Sequence, residues 1–273
     1  MRTGADRTNV RPPAAAGTFY PRDSQRLRAD IAALFAQVAA PTASPKALIA
    51  PHAGYVYSGQ IAAAAFATLR DSAQVIERVI LIGPAHYVRL QGIAVPTVDV
   101  FETPLGRVPV DRRALATIGD LPSVVQSDVA HAREHALEVE LPFLQTLVSG
   151  FAIVPLLVGD AAPQQVAEVL HRIWGGPETR IIVSSDLSHY YPYETGRRLD
   201  VATAAAIERG DWASLGPGNA CGFLAIAGLL VEAQHRGLAV RRLALRNSGD
   251  TAGGRDQVVG YGAWLFEDVE RAS

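Results

Sequence analysis

The chain has 273 residues, 49% of them apolar and 19% charged, with a formal net charge of −2. That length supports one large α/β domain or two small ones, and the near-neutral charge supplies no cationic field for a polyanion, so no nucleic-acid partner is expected. A single cysteine, Cys221, excludes an internal disulfide framework and a cysteine-rich zinc finger, and the absence of a signal-peptide core or of an apolar run of roughly 20 residues leads us to expect a cytoplasmic protein with no membrane partner.

Residues 1–16 are expected to form a flexible leader, polar and aperiodic up to Pro13, with one domain spanning 17–273. From Ser24 to Val38 the positions Leu27, Ile31, Leu34, Phe35 and Val38 recur at helical spacing, which predicts an amphipathic surface helix stopped by Pro41 and Pro45. Short, nearly all-apolar runs then alternate with helical patterns, the mark of βαβ units around a buried parallel sheet. Strands are expected over 47–50, 78–83, 151–158, 180–184, 241–246 and 258–266. Helices are expected over 58–69 with Ser58 as N-cap, 138–147, 163–174, 196–208 and 221–235. Pro96, Pro104 and Pro109 rule out a helix over 92–110, which reads as a short antiparallel excursion. The expected fold is a single α/β domain, a central mostly parallel sheet flanked by helices.

Three of the seven histidines follow predicted strands. His52 follows the run ending at Ala50, His86 the run ending at Gly83, and His189 the run ending at Ser184. In an open parallel sheet the carboxyl ends of the strands share one edge, outside which ligands bind, so these imidazoles are expected to meet in a cleft. Imidazole binds borderline metals through its neutral nitrogen and moves protons near neutrality. Around His52, the segment Pro51 to Gly59 places Tyr55 and Tyr57 at the expected rim. Asp186, three residues before His189, either orients an imidazole, faces the ligand or caps the following turn.

A second cluster, His131 to Glu140, has two histidines at i, i+4 but lacks the adjacent glutamate of a zincin. His135 and Glu138 are expected to reach the cleft from the start of the next helix. The loop Arg246 to Gly254 carries neither a dinucleotide fingerprint nor a P-loop. It offers Asp250 at the same sheet edge, either as a carboxylate ligand completing a His-His-carboxylate facial set for Fe(II) or as an ordinary turn residue.

Taken together, Gly17 to Pro21, Pro51 to Tyr55, Gly83 to His86, Glu134 to Leu144 and Ser184 to His189 resemble the Memo family, whose bacterial and archaeal branch is labelled AmmeMemoRadiSam system protein B. The resemblance runs from about Gly17 to Phe266. It implies a fold similar to the class III extradiol dioxygenases, with His52 and His86 matching two metal ligands and Asp186, His189 and His135 lining the same pocket. Animal members supply a third ligand as cysteine from the loop after the penultimate strand, where this chain has Asn247 to Asp250; Cys221 opens a helix and is not expected to replace it.

The expected metal ligands are therefore His52, His86 and Asp250, with Fe(II) first and Cu or Zn as alternatives. His189, His135 and Asp186 are the expected catalytic groups, and Tyr55, Tyr57 and Glu138 the expected substrate contacts. The expected function is that of an iron-dependent, dioxygenase-like oxidoreductase. The competing readings are a metal- or peptide-binding module, and an accessory to a radical SAM pathway with radical SAM and AMMECR-like partners.

Overall fold

A computed structural model describes residues 8–39, 43 and 45–268. In chain order the elements are β1 (Val10–Arg11), α1 (Ser24–Ala36), β2 (Ala47–Ala50), α2 (Tyr55–Phe66), β3 (Arg78–Pro84), β4 (Ile93–Val95), β5 (Val100–Thr103), β6 (Gly106–Pro109), α3 (Arg112–Ala116), β7 (Val124–Gln126), α4 (Asp128–Ala132), α5 (Leu141–Leu147), β8 (Ala152–Val158), α6 (Pro163–Ile173), β9 (Thr179–Ser184), β10 (His189–Tyr191), α7 (Tyr193–Glu208), α8 (Phe223–Arg236), β11 (Leu238–Asn247) and β12 (Val258–Asp268).

The heart of the main sheet is four parallel strands in the order β2, β9, β3, β8. Their residues are buried almost without exception, which is why the sequence shows continuous apolar runs here and not alternation. Antiparallel β12 borders β2, and β11 pairs antiparallel with β12, so β11 runs in the direction of the central strands. The other flank carries β4, antiparallel to β8, and then β7. The excursion over 92–110 supplies β4 to this sheet and a β5–β6 hairpin to a small second sheet, where β1 pairs parallel with β5.

Several boundaries differ from expectation. Helix α2 starts at Tyr55 with Gly54 as N-cap; Ser58 lies inside it and donates to the Ala53 carbonyl. The helix expected over 138–147 begins as a 3-10 turn, Glu138–Glu140, before α5. Residues 1–7 of the expected leader lie outside the described residues, but residues 10–16 belong to the packed fold. Arg11, Ala15 and Ala16 are buried, and Arg11 pairs with Glu138. At Gly260 in β12 the backbone runs hard against the buried Asp200 carboxylate of α7, a space any β-carbon would fill.

Candidate metal centre

The carboxyl ends of β2, β3 and β9 each release a loop, and two residues beyond each strand stand His52, His86 and Asp186. They line one cavity of about 830 Å³ together with Phe19, Tyr57, His135, His189 and Cys221. Within it the ligating atoms of His52, His86 and His135 all lie within 4.8 Å of one another. The ring centroids are separated by 5.2 Å for His52–His86, 5.3 Å for His52–His135 and 4.8 Å for His86–His135. Phe19 stacks on the outer face of His135 at 4.2 Å.

A buried layer sets the orientation of these rings. Ser184 Oγ lies 2.8 Å from His52 Nδ1, 2.8 Å from Glu140 Oε1 and 2.7 Å from the Ala136 carbonyl. Burial pushes the Glu140 carboxyl well above the ordinary carboxylate range. Ser184 donates to Glu140 Oε1 and to the Ala136 carbonyl and holds His52 through Nδ1. His52 Nε2 is then the nitrogen turned to Cys221, whose Sγ stands 3.3 Å away. At His86, Nδ1 donates to Glu134 Oε1 at 2.8 Å and the backbone N–H donates to Oε2 at 2.6 Å, leaving Nε2 free. His135 Nδ1 stands 3.3 Å from Glu134 Oε1 and 3.3 Å from Tyr87 Oη. A histidine–carboxylate pairing of this kind fixes the tautomer and raises ligand basicity.

Electrostatics disfavour the charged form of His52 and His135. Burial, reinforced by the neighbouring imidazoles, lowers His52 to about 3 and His135 to about 3. Burial alone would raise Glu134, but the bonds it accepts from His86 and Ala136 hold it at about 2. An ionised carboxylate thus lies beside His135, whose ring burial keeps unprotonated, the state in which imidazole ligates a metal.

The expected site residues sort clearly on this geometry. His52, His86, His135, His189, Asp186 and Tyr57 come together in the cavity. Asp186 does not touch the His189 ring; it accepts from the backbone N–H groups of His52 and Ala53 and so fixes the loop, while His189 Nδ1 bonds the Leu187 carbonyl. Asp250, expected as a ligand, is not among the residues that line the cavity. Its loop does leave β11 at the cavity edge, and Ser248, Gly253, Gly254 and Gln257 line the wall. Asp250 itself turns back to accept from the Asn247 N–H at 3.1 Å and from Tyr193 Oη at 2.6 Å.

Glu138, expected as a substrate contact, lies outside the cavity lining. It is fully buried and accepts four bonds, from Arg11, Tyr20, Ala14 and Ala15, which dock the N-terminal arm. Tyr55 is likewise absent from that lining, and its buried hydroxyl donates to the Val139 carbonyl. The sequence reading set Cys221 aside, yet its Sγ sits 3.3 Å from His52 Nε2, with burial pushing the thiol up to about 12. Tyr87, Tyr190 and Tyr191 add an exposed aromatic rim that no spacing signalled; Tyr190 holds φ at 63°, the one positive φ outside glycine among the described residues.

Comparison with known proteins gives this arrangement a family. A family model described as Memo-like protein matches residues 11–265. The chain belongs to the Memo family. A MEMO1 family protein of Aeropyrum pernix is 37% identical over 93% of this chain and 98% of its own. One from Aquifex aeolicus is 35% identical over 94% and 99%. Among solved structures, an uncharacterized protein from Escherichia coli K12 covers 80% of this chain and 98% of its own with a TM-score of 0.50 at 11% identity, a likeness of fold alone. No helix of this Memo-family chain is long and apolar enough to cross a membrane among its described residues.

Proposed function

We propose that the cleft is a metal centre held by His52, His86 and His135, and that the protein is a metal-dependent, dioxygenase-like oxidoreductase acting on a small molecule in the cavity. The observation that carries this reading is the convergence of three imidazole donors at the carboxyl edge of the sheet, each ring oriented from behind by Ser184 or Glu134. Three protein ligands and an open cavity are the layout of a catalytic site, whereas a structural site is closed by a fourth protein ligand. A bound metal would supply Lewis-acid polarisation or redox activation at its open positions.

The chain's own residues supply the rest. His189 faces the same cavity and serves as the acid or base, held by the Leu187 carbonyl. Phe19 and Tyr57 exclude water and pack against a flat ligand. An all-imidazole donor set suits Fe, Cu and Zn alike. With Asp250 outside the site, the preference for Fe(II) rests on the resemblance to extradiol dioxygenases and no longer on a hard carboxylate. A second reading, capture of a peptide or other ligand without turnover, draws on the exposed rim of Tyr87, Tyr190 and Tyr191.

Anaerobic reconstitution with Fe(II), followed by O2-uptake measurements across catechols and related phenols, separates the two. Metal-dependent uptake that is lost in His189→Ala while metal content is kept supports the enzyme. Ligand binding without uptake supports capture, and neither binding nor uptake contradicts both.

A further inference from the structure

A second group of ligating side chains lies away from the cleft, on the packed pair α6 and α8. His171 comes from the last turn of α6; Glu232 and His235, three apart, share one face near the end of α8. Their ligating atoms also fall within 4.8 Å of one another. His171 Nδ1 is 3.0 Å from Glu232 Oε1, and His235 Nδ1 is 3.8 Å from Oε2. From this geometry we infer that His171, Glu232 and His235 form a second site, for a divalent transition-metal ion of the zinc class, clamping α6 to α8.

The distances fit such an ion. Zinc bonds to nitrogen and oxygen of about 2.1 Å, at tetrahedral angles, require donor separations of about 3.4 Å. The two measured separations straddle that value. The histidine side chains are 58% and 67% exposed, so their rings have room to turn, His171 by giving up a 3.4 Å contact of its Nδ1 with the Arg236 guanidinium, whereas the Glu232 side chain is 5% exposed and held in place. Arg236 does the holding: it donates to Glu232 Oε1 at 2.5 Å and lies over the Trp174 ring at 4.1 Å. Oε2, 3.8 Å from His235 Nδ1, is not engaged by that guanidinium bond. Two imidazoles and one carboxylate select zinc, copper or nickel over calcium or magnesium, which prefer all-oxygen shells. The Arg236 charge opposes a cation, whereas the ionised Glu134 carboxylate beside the cleft rings favours one, so this site binds more weakly than the cleft.

The test is a Zn(II) titration of the full-length, metal-stripped protein against a chromophoric chelator, with bound equivalents as the readout. Wild type is expected to hold two equivalents, the weaker of which disappears in His171→Ala and in His235→Ala, while the tighter one disappears in His52→Ala. Both surface histidines are exposed, so these variants keep the fold. In His171→Ala the thermal midpoint should also lose the part of its Zn(II)-dependent rise that appears only as the weaker site fills. Absence of a weaker equivalent, or its persistence in both surface variants, overturns the inference. Loss of only the tighter equivalent in His52→Ala bears on the cleft alone, so the two sites fail separately.

Discussion

In the cleft His52 is 1% exposed and its ring is fixed through Ser184 to a buried carboxyl, whereas on the α6–α8 face His171 and His235 stand mostly in solvent around one carboxylate. The donor atoms are of the same kind; what surrounds them is not. Burial makes His52 and His135 poor bases and demands that buried ring nitrogens find partners, so ring position there is a property of the core. On the surface, water satisfies the same groups, and the rings are related by their shared contact with Glu232 and a tilted ring contact at 5.6 Å. The first arrangement suits chemistry in a cavity; the second suits a clamp.

The largest expected effect sharpens this contrast at the two carboxylates. Glu134→Ala removes the acceptor of bonds from His86 Nδ1, the His86 N–H and the Ala136 N–H, and should cost roughly 3 kcal/mol in urea denaturation. Glu232→Ala should cost about 1 kcal/mol, because its partners rehydrate. Equal losses would break the comparison.

The buried layer should also show itself in pH. Asp200, behind the cavity wall, accepts from the Ser188 N–H and is raised by burial from 3.8 to about 6. Between those values the native protein retains a proton that the unfolded chain has released. This contribution is therefore fully present below pH 3.8 and is lost as pH rises towards about 6, for a total of about 3 kcal/mol. Asp200→Asn should abolish that segment of the stability profile and be the more stable protein at pH 7; an unchanged profile would place the titration elsewhere.

Smaller effects follow. Because burial raises the Glu140 carboxyl well above the ordinary carboxylate range, Glu140→Gln should stay within about 1 kcal/mol of wild type, and a loss near that of Glu134→Ala would contradict that direction. In metal-free protein His171→Ala and His235→Ala should each stay within about 0.5 kcal/mol, checked in the same denaturation series.

The fold was legible where burial writes itself into composition. Runs such as 47–50 and 180–184 are apolar because both faces of the parallel sheet are covered, and the histidines after them had to fall at one edge. His135 joins them for a different reason. It sits on the loop between α4 and the 3-10 turn, and its place depends on Glu134 reaching His86 across 48 residues. No periodicity encodes such a contact. Asp250 shows the converse limit: sequence located its loop at the cavity edge, but which way a turn carboxylate points depends on Tyr193 and the Asn247 N–H. Glu138 likewise looked like a cleft residue until the N-terminal arm, with Arg11, proved to be its partner.

The measurement closest to the centre of this account is the metal content of the cleft in His135→Ala against Asp250→Ala. Both are made in a His171→Ala background so that the surface cluster contributes nothing, reconstituted anaerobically with Fe(II), desalted and read by plasma emission. The expected result is near-complete loss of iron in His135→Ala, as in His52→Ala and His86→Ala, and wild-type content in Asp250→Ala. Retention of iron in His135→Ala together with its loss in Asp250→Ala would contradict the three-histidine centre.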